Sequence, residues 1–296
     1  LRNSHNNYSR ELRGRKKKSI IPPILICLVG ICAILYLPLS DLQNTRLHLK
    51  DVERYESLLK EDTGGVDTDS IMASARDYNE RIAATPGVLK EPELVSGYED
   101  ELVVPDTDVM GYIEIPRIDV RLPIYHGTDE GTLGDGIGHL EGSSLPVGGP
   151  STHSVLVGHR GLSTASLFTR LDEMKNGDLF MITVLGYKLY YQVDQITVVN
   201  PDEIDELQIE RGMDYCTLLT CTPFGINTQR LLVRGARIPA PEEETPEVSG
   251  YSIPPLYIAV IAALAAVFIL VVILTICDVK KHNRRTDNWE GGRQGS

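Results

Sequence analysis

"TLLTCTPFGINTQRLLVRG" spans residues 217–235 and reads as a hairpin. Tyr215 to Cys221 is one β-type run and Gln229 to Arg237 the next, with Pro223, Gly225 and Asn227 supplying turn chemistry between them. Antiparallel pairing across such a connection sets Cys221 roughly opposite Arg230, and directly opposed residues share a face with Cβ atoms about 5 Å apart. A fixed guanidinium beside a thiol favours the thiolate and can donate to a developing oxyanion. One cysteine and one arginine also fit a blander description, a buried structural thiol and a cation paired with a surface acid. Spacing leaves both open.

The sequence around the hairpin has the same character. From about Asp108 to Pro239 it offers "GYIEI", "VRLPIY", "SVLVG", "LFMITVL", "KLYYQVDQITVV", "YCTLLTC" and "RLLVRGARI", separated by turn-formers. Only "TASLFTRLDEM", residues 164–174, carries a helical pattern. Seven or so strands with one short helix suggest a barrel or a sandwich, and roughly 130 residues suffice for one core. Upstream, residues 41 to about 85 look helical in two pieces broken by "DTGGVDTDS". Val52, Tyr55 and Leu58/Leu59 mark a face of the first piece, and Ile71, Ala75, Tyr78 and Ile82 a face of the second. Both faces are expected to pack on the β-rich region.

Charge and hydropathy set the organisation. Ser19–Leu39 and Leu256–Cys277 are 21 and 22 residues without a charge, each long enough to cross about 30 Å of hydrocarbon as a helix. No small-x-small cleavage site follows the first, so it reads as a retained anchor rather than a signal peptide. The first residue is Leu, not Met, which leaves the completeness of the N-terminus open. Residues 1–18 carry seven Lys/Arg against one acid, and residues 278–296 five against three. The stretch between, 40–255, carries 17 basic and 37 acidic residues, a net of −20 within the whole-chain −12. The positive-inside rule puts both tails in the cytoplasm and the acidic middle outside. That acidity argues against nucleic acid as a partner. The expected segments are a basic tail (1–18), an anchor (19–39), a helical region (40–107), a β-rich domain (108–238), a Pro/Glu-rich solvated linker (239–255), a second span (256–277) and a second basic tail (278–296).

Of five cysteines, Cys27, Cys32 and Cys277 fall in the spans, leaving Cys216 and Cys221 outside. Their opposite parity along a strand points them to opposite faces, so no bridge between them is expected and Cys216 reads as an inert core thiol. A cysteine nucleophile needs a base, and histidine is the first candidate. His48 reads as a solvated residue of the membrane-proximal helix. His126, His139, His153 and His159 lie in or beside strands, where a lone histidine is more often structural. His159, following "SVLVG", sits at a strand end, where function concentrates. The acids are dispersed and the histidines lack ligand spacing, so no metal is expected, and no nucleotide-binding motif or other cofactor signal is present.

"TLLTC" matches the Thr-Leu-x-Thr-Cys signature of sortases, the Gram-positive cell-surface transpeptidases, and "TPFGINTQRLLVRGAR" resembles their next strand. "THSVLVGHRGL" looks like their histidine segment, while "MGYIEIPRIDVRLPIYHGT" and "GIGHLEGSSLPVGG" resemble the pilus-specific class C members. The similarity runs from about Tyr78 to Ile238. It implies a mainly β fold, a closed eight-stranded barrel preceded by N-terminal helices and flanked by two transmembrane helices. It also implies Cys221 as nucleophile, His159 as acid and base, Arg230 as the oxyanion and orienting group, and Thr220 as a groove residue. Class C sortases usually carry a lid with an Asp-Pro-aromatic motif, whose acid faces the arginine and whose ring covers the cysteine. At that place, residues 86–101, this chain reads "PGVLKEPELVSGYEDE". Glu91 and Pro92 preserve the acid and proline, but Glu93 stands where the ring should be, leaving a looser or differently anchored lid.

The implied reaction cleaves an LPXTG-like sorting signal between Thr and Gly through a Cys thioester. It then joins the fragment to a lysine amine of another pilin, with attachment to a peptidoglycan precursor as the alternative and hydrolysis as a side reaction. A wall-anchored surface protein would share the hydrophobic stretch and basic tail. However, "EEETPEVSGYSIPP" before the second span holds no LPXTG-like pentapeptide, and "SLPVGG" at 144–149 lies too early and lacks the threonine.

Overall fold

A computed structural model describes residues 19–60, 66–161, 167–242, 246, 248–249 and 255–291. The chain divides into two units, residues 39–252 and residues 1–38 with 253–296. In the second of these, the apolar part of α1 (Ile21–Lys60) and α4 (Pro255–Gly291) are long and apolar enough to cross a membrane. Their large side chains, Ile26 and Leu274 among them, are exposed. The basic tail 1–18 lies outside the described residues.

Residues 39–252 centre on a closed barrel in the order β1-β2-β3-β4-β7-β8-β6-β5. Its strands are β1 (Val109–Ile115), β2 (Val120–His126), β3 (Ile137–His139), β4 (Thr152–Val157), β5 (Leu179–Val184), β6 (Tyr187–Val199), β7 (Asp214–Thr222) and β8 (Gln229–Ile238). Closure leaves no unpaired edge. The pairs β2/β3 and β4/β7 are parallel and the rest antiparallel. Parallel neighbours need a crossover, and between β2 and β3 it contains α3 (Glu130–Asp135), whose first amides are capped by the Asp129 carboxylate. Ile113, Ile124, Leu156, Ile182, Cys216, Leu218 and Val233 fill the interior, with Phe180 stacked on Tyr191 at 5.4 Å.

The two helical pieces pack as their periodicity requires. On α1, Val52 and Tyr55 are fully buried, and the Tyr55 hydroxyl donates to Met110 O (3.1 Å) while accepting from Leu185 N (2.8 Å). Tyr112 Oη and Arg121 Nη2 both donate to Glu56 Oε1, at 2.6 and 2.8 Å. The second helix, α2 (Thr68–Ala84), starts inside "DTGGVDTDS", where Asp67 caps Ser70 N. It buries Met72, Ala75, Tyr78 and Ile82, and Asn79 exchanges two hydrogen bonds with the backbone of Leu145.

Four sequence expectations change. Of "TASLFTRLDEM", the described residues are turns and a 3₁₀ turn over Leu171–Glu173. Phe168, Leu171 and Met174 are drawn into the core there, with bonds three residues apart instead of four. The short α3 and β3 carry too few residues and too many glycines to register as periodic signals. His48 is not solvated: it is 6% exposed, because it lies one helical turn before Val52 on the stripe that docks on the barrel. The linker is not wholly solvated either. Val248 is buried, and Ser249 donates from its N and Oγ to the Asp119 carboxylate at 3.0 and 2.8 Å.

A buried polar network ties the segment 86–101 to the barrel. Tyr98 Oη lies 2.9 Å from His139 Nδ1 and 3.0 Å from His139 O, and it accepts from Gly127 N. His139 Nε2 lies 2.9 Å from Ser144 O. Complete burial, helped by the nearby His126, pushes the His139 pKa down to about 4, so the imidazole is neutral when folded. The unfolded imidazole takes its proton near pH 6.5, so this contribution to stability is present above that pH and lost as pH falls towards 4. Chemical denaturation between pH 7 and pH 4.5 is expected to show unfolding free energy declining by up to about 3 kcal/mol from this group. The buried His153 adds in the same direction, and a flat profile would contradict the neutral His139. Tyr55→Phe, which strips both hydrogen bonds of a buried hydroxyl, should cost about 1–3 kcal/mol in urea unfolding.

Candidate active site

β7 decides which side chains reach the site. Alternation along the strand sends Cys216, Leu218 and Thr220 inward and Leu219 and Cys221 to the outer surface of the barrel. Cys216 is fully buried, and desolvation drives its thiol pKa well above the ordinary value. Cys221 is half-buried, and both are free thiols. In the β7/β8 register, Cys221 is the direct partner of Arg230.

The outer surface here is a groove rather than a flat sheet. Val155 of β4, Val199 of β6 and Leu232 of β8 form its apolar floor with Leu207 from the β6–β7 connection, and Leu89, Leu140, Val157 and Leu219 pack against them. A cavity of about 350 Å³ opens on this cluster and is lined by His159, Thr220, Cys221 and Arg230, with Leu89 and Glu203 among the others. Four of the six residues singled out from sequence therefore meet at one place.

His159 is brought there by the parallel β4/β7 pairing. Gly158 N donates to Leu219 O (3.0 Å), and Thr220 Oγ1 donates to Gly158 O (2.7 Å), so the residue before His159 is clipped to β7 on both sides. A Cβ at Gly158 would sit 2.7 Å from both Ile137 and Phe168 side-chain atoms, a contact that only glycine avoids. Thr220 thus does more than line a groove: its side chain is 1% exposed and its hydroxyl is spent on β4. Arg230 is half-buried, and its Nη1 donates to Gln229 O (3.1 Å) and weakly to Asn227 O (3.4 Å), which leaves further guanidinium donors for an incoming group.

Glu91 and Pro92 are placed differently. Glu91 is exposed and begins the 3₁₀ turn Pro92–Leu94, and neither residue lines the cavity. The segment reaches the groove through Leu89 instead. Val88 and Leu89 lie directly on Gly142, where a Cβ would approach Val88 O to 2.5 Å, and Gly142 itself has φ +84°. Sequence reasoning missed Leu89, although "VL" at 88–89 is one of two apolar pairs in this stretch, the other being "LV" at 94–95.

His139 and His153, the other histidines on β3 and β4, are occupied. His153 Nδ1 lies 2.9 Å from Gln208 O and its Nε2 2.8 Å from Thr217 Oγ1, and burial lowers its pKa. His126 Nε2 lies 2.8 Å from Glu101 O. His159 has its backbone O bonded by Phe168 N (3.1 Å), and the residue lines the cavity.

Residues 113–238 match the Sortase domain family. Among solved structures, sortase C1 of GBS pilus island 1 is 45% identical, with a TM-score of 0.61 over 68% of this chain and 97% of that one. Sortase C of Streptococcus pneumoniae is likewise 45% identical, with a TM-score of 0.57 over 64% of this chain and 96% of that one. Sortase D of Bacillus subtilis is 30% identical over 131 residues, 43% of this chain and 63% of that protein, so the match spans less than two thirds of that relative. With the closed eight-stranded barrel and these identities, the chain belongs to the sortase family of cysteine transpeptidases, with class C members as its structural neighbours.

Proposed function

We propose that the chain is a membrane-anchored transpeptidase that polymerises pilins, with Cys221, His159 and Arg230 as its catalytic residues. The observation that carries this reading is the convergence of the three on one groove, with Cys221 and Arg230 as direct cross-strand partners. Cys221 Sγ attacks the Thr–Gly carbonyl of an LPXTG-like sorting signal, and the C–N bond breaks as His159 protonates the departing glycine amine. Arg230 donates to the oxyanion of the tetrahedral intermediate and orients the peptide. A lysine amine of another pilin then attacks the thioester, gives its proton to His159 and releases the thiolate. Amide is exchanged for amide, so no nucleotide is consumed. When water replaces the amine, slow hydrolysis results.

One solved relative is named for a pilus island and another is described by its pilin substrate specificity, which favours a pilin lysine over a peptidoglycan precursor as the acceptor. Attachment to that precursor is the second reading. Both apolar helices and the basic residues flanking them support two spans with cytoplasmic tails and an outward-facing catalytic unit. Residues 86–101 act as a lid whose side chain in the groove is Leu89, with Tyr98 as its anchor.

The direct test incubates the protein with an LPXTG-type peptide panel and a lysine-bearing pilin fragment, followed by mass spectrometry. A Cys221 adduct resolved by the amine is expected. Cys221→Ala should abolish turnover, His159→Ala should lower kcat by about 10²–10⁴, and Arg230→Lys should lower it by about 10²–10³. Turnover surviving Cys221→Ala would falsify the assignment. For the lid, Leu89→Ala should speed alkylation of Cys221, whereas Glu91→Ala, altering an exposed side chain, should leave it unaltered.

A further inference from the structure

His159 and Cys221 both lie just past the end of the pairing between β4 and β7. The β4/β7 ladder ends at Val157 with Leu219, and one more backbone bond joins Gly158 N to Leu219 O. Beyond it, among the described residues, the side chain that spans the two exits is Arg160.

The Arg160 side chain is 8% exposed. Its Nη1 donates to Oγ1 of Thr222, the residue after Cys221, at 3.0 Å. Its Nη2 pairs with the carboxylate of Asp172 in the 3₁₀ turn Leu171–Glu173. The guanidinium also lies 6.0 Å from the ring centre of Phe224, two residues beyond Thr222. Both neighbours of Arg160 are clipped to the same turn region, His159 O by Phe168 N (3.1 Å) and Gly161 N by Thr169 Oγ1 (3.2 Å).

We propose that Arg160 is a positioning residue that braces the His159-bearing exit of β4 against the Cys221-bearing exit of β7. The inference rests on the reading of His159 and Cys221 as the catalytic pair. Arg160 does not line the cavity, so it acts through the two loops and not on substrate. Burying a guanidinium costs desolvation and rotamer freedom, and here its Nε is buried without a partner among the described residues. Such an arrangement is poor as a plain stabiliser, and it suits a part whose job is geometry. The task also demands arginine: a rigid planar fork donates in two directions at a fixed angle, which an ammonium on a flexible stem does not.

The test uses the full-length protein in detergent, with Arg160→Met, Arg160→Lys, Thr222→Val and the double variant Arg160→Met/Thr222→Val. Steady-state kinetics on an LPXTG-type peptide with an amine acceptor are read together with the pH dependence of Cys221 alkylation by iodoacetamide. Arg160→Met is expected to lower kcat by about 10–100-fold, the scale of a misplaced catalytic group, with KM little changed and the alkylation profile moved to higher pH. Arg160→Lys should remain impaired, Thr222→Val should show a smaller loss of the same kind, and the double variant should match Arg160→Met because both changes break one contact. Unaltered kcat and alkylation in Arg160→Met, full recovery in Arg160→Lys, a rise in KM alone, or multiplicative losses in the double variant would each overturn the brace. Should Arg160→Met fail to fold, Thr222→Val decides by itself, and an unaltered kcat there overturns the proposal. Turnover that needs Cys221 but ignores Arg160 defeats only the brace, whereas turnover that survives Cys221→Ala defeats the catalytic assignment beneath it.

Discussion

Everything at the site depends on β7 lying between β4 and β8, parallel to one and antiparallel to the other. The parallel side delivers His159 from the exit of β4, and the antiparallel side delivers Arg230 across from Cys221. Because side chains alternate, a slip of one residue would bury Cys221 and expose Thr220. The Thr220 hydroxyl opposes such a slip, since it is bonded to Gly158 O from the buried face. The pairing that builds the barrel and the pairing that assembles the groove are therefore the same set of hydrogen bonds.

The outer face of β4, β7 and β8 is kept apolar by the cluster around Val155, Val199, Leu207 and Leu232. A dry floor strengthens any charge interaction above it. The charged contacts that hold α1 are built on other strands. Glu56 of α1 receives Tyr112 and Arg121, on β1 and β2. The contacts that hold α1 and the residues that line the groove therefore lie on different strands of one barrel.

Glu91 and Pro92, which the resemblance to class C members puts forward as lid residues, stay outside the groove, and the side chain that enters it is Leu89. It does so because Val88 and Leu89 rest on Gly142, and because Tyr98 fixes the end of the segment through a histidine held neutral by burial.

Local pattern carried a good deal of this. Alternation and turn chemistry over 217–235 pointed to the hairpin and set Cys221 roughly opposite Arg230, parity separated Cys216 from Cys221, and periodicity marked the buried faces of α1 and α2. Each of these is a property of neighbours in the chain, which sequence records directly. The rest depends on contacts between distant segments. Only the closed barrel brings Gly158 under Thr220, and with it His159 to Cys221. Burial of His48 and the 3₁₀ turn at 171–173 were likewise decided by what lies opposite them. So were Leu89 in the groove and Arg160 between two strand exits, because side chains of common types gain a role only when tertiary packing supplies the partner.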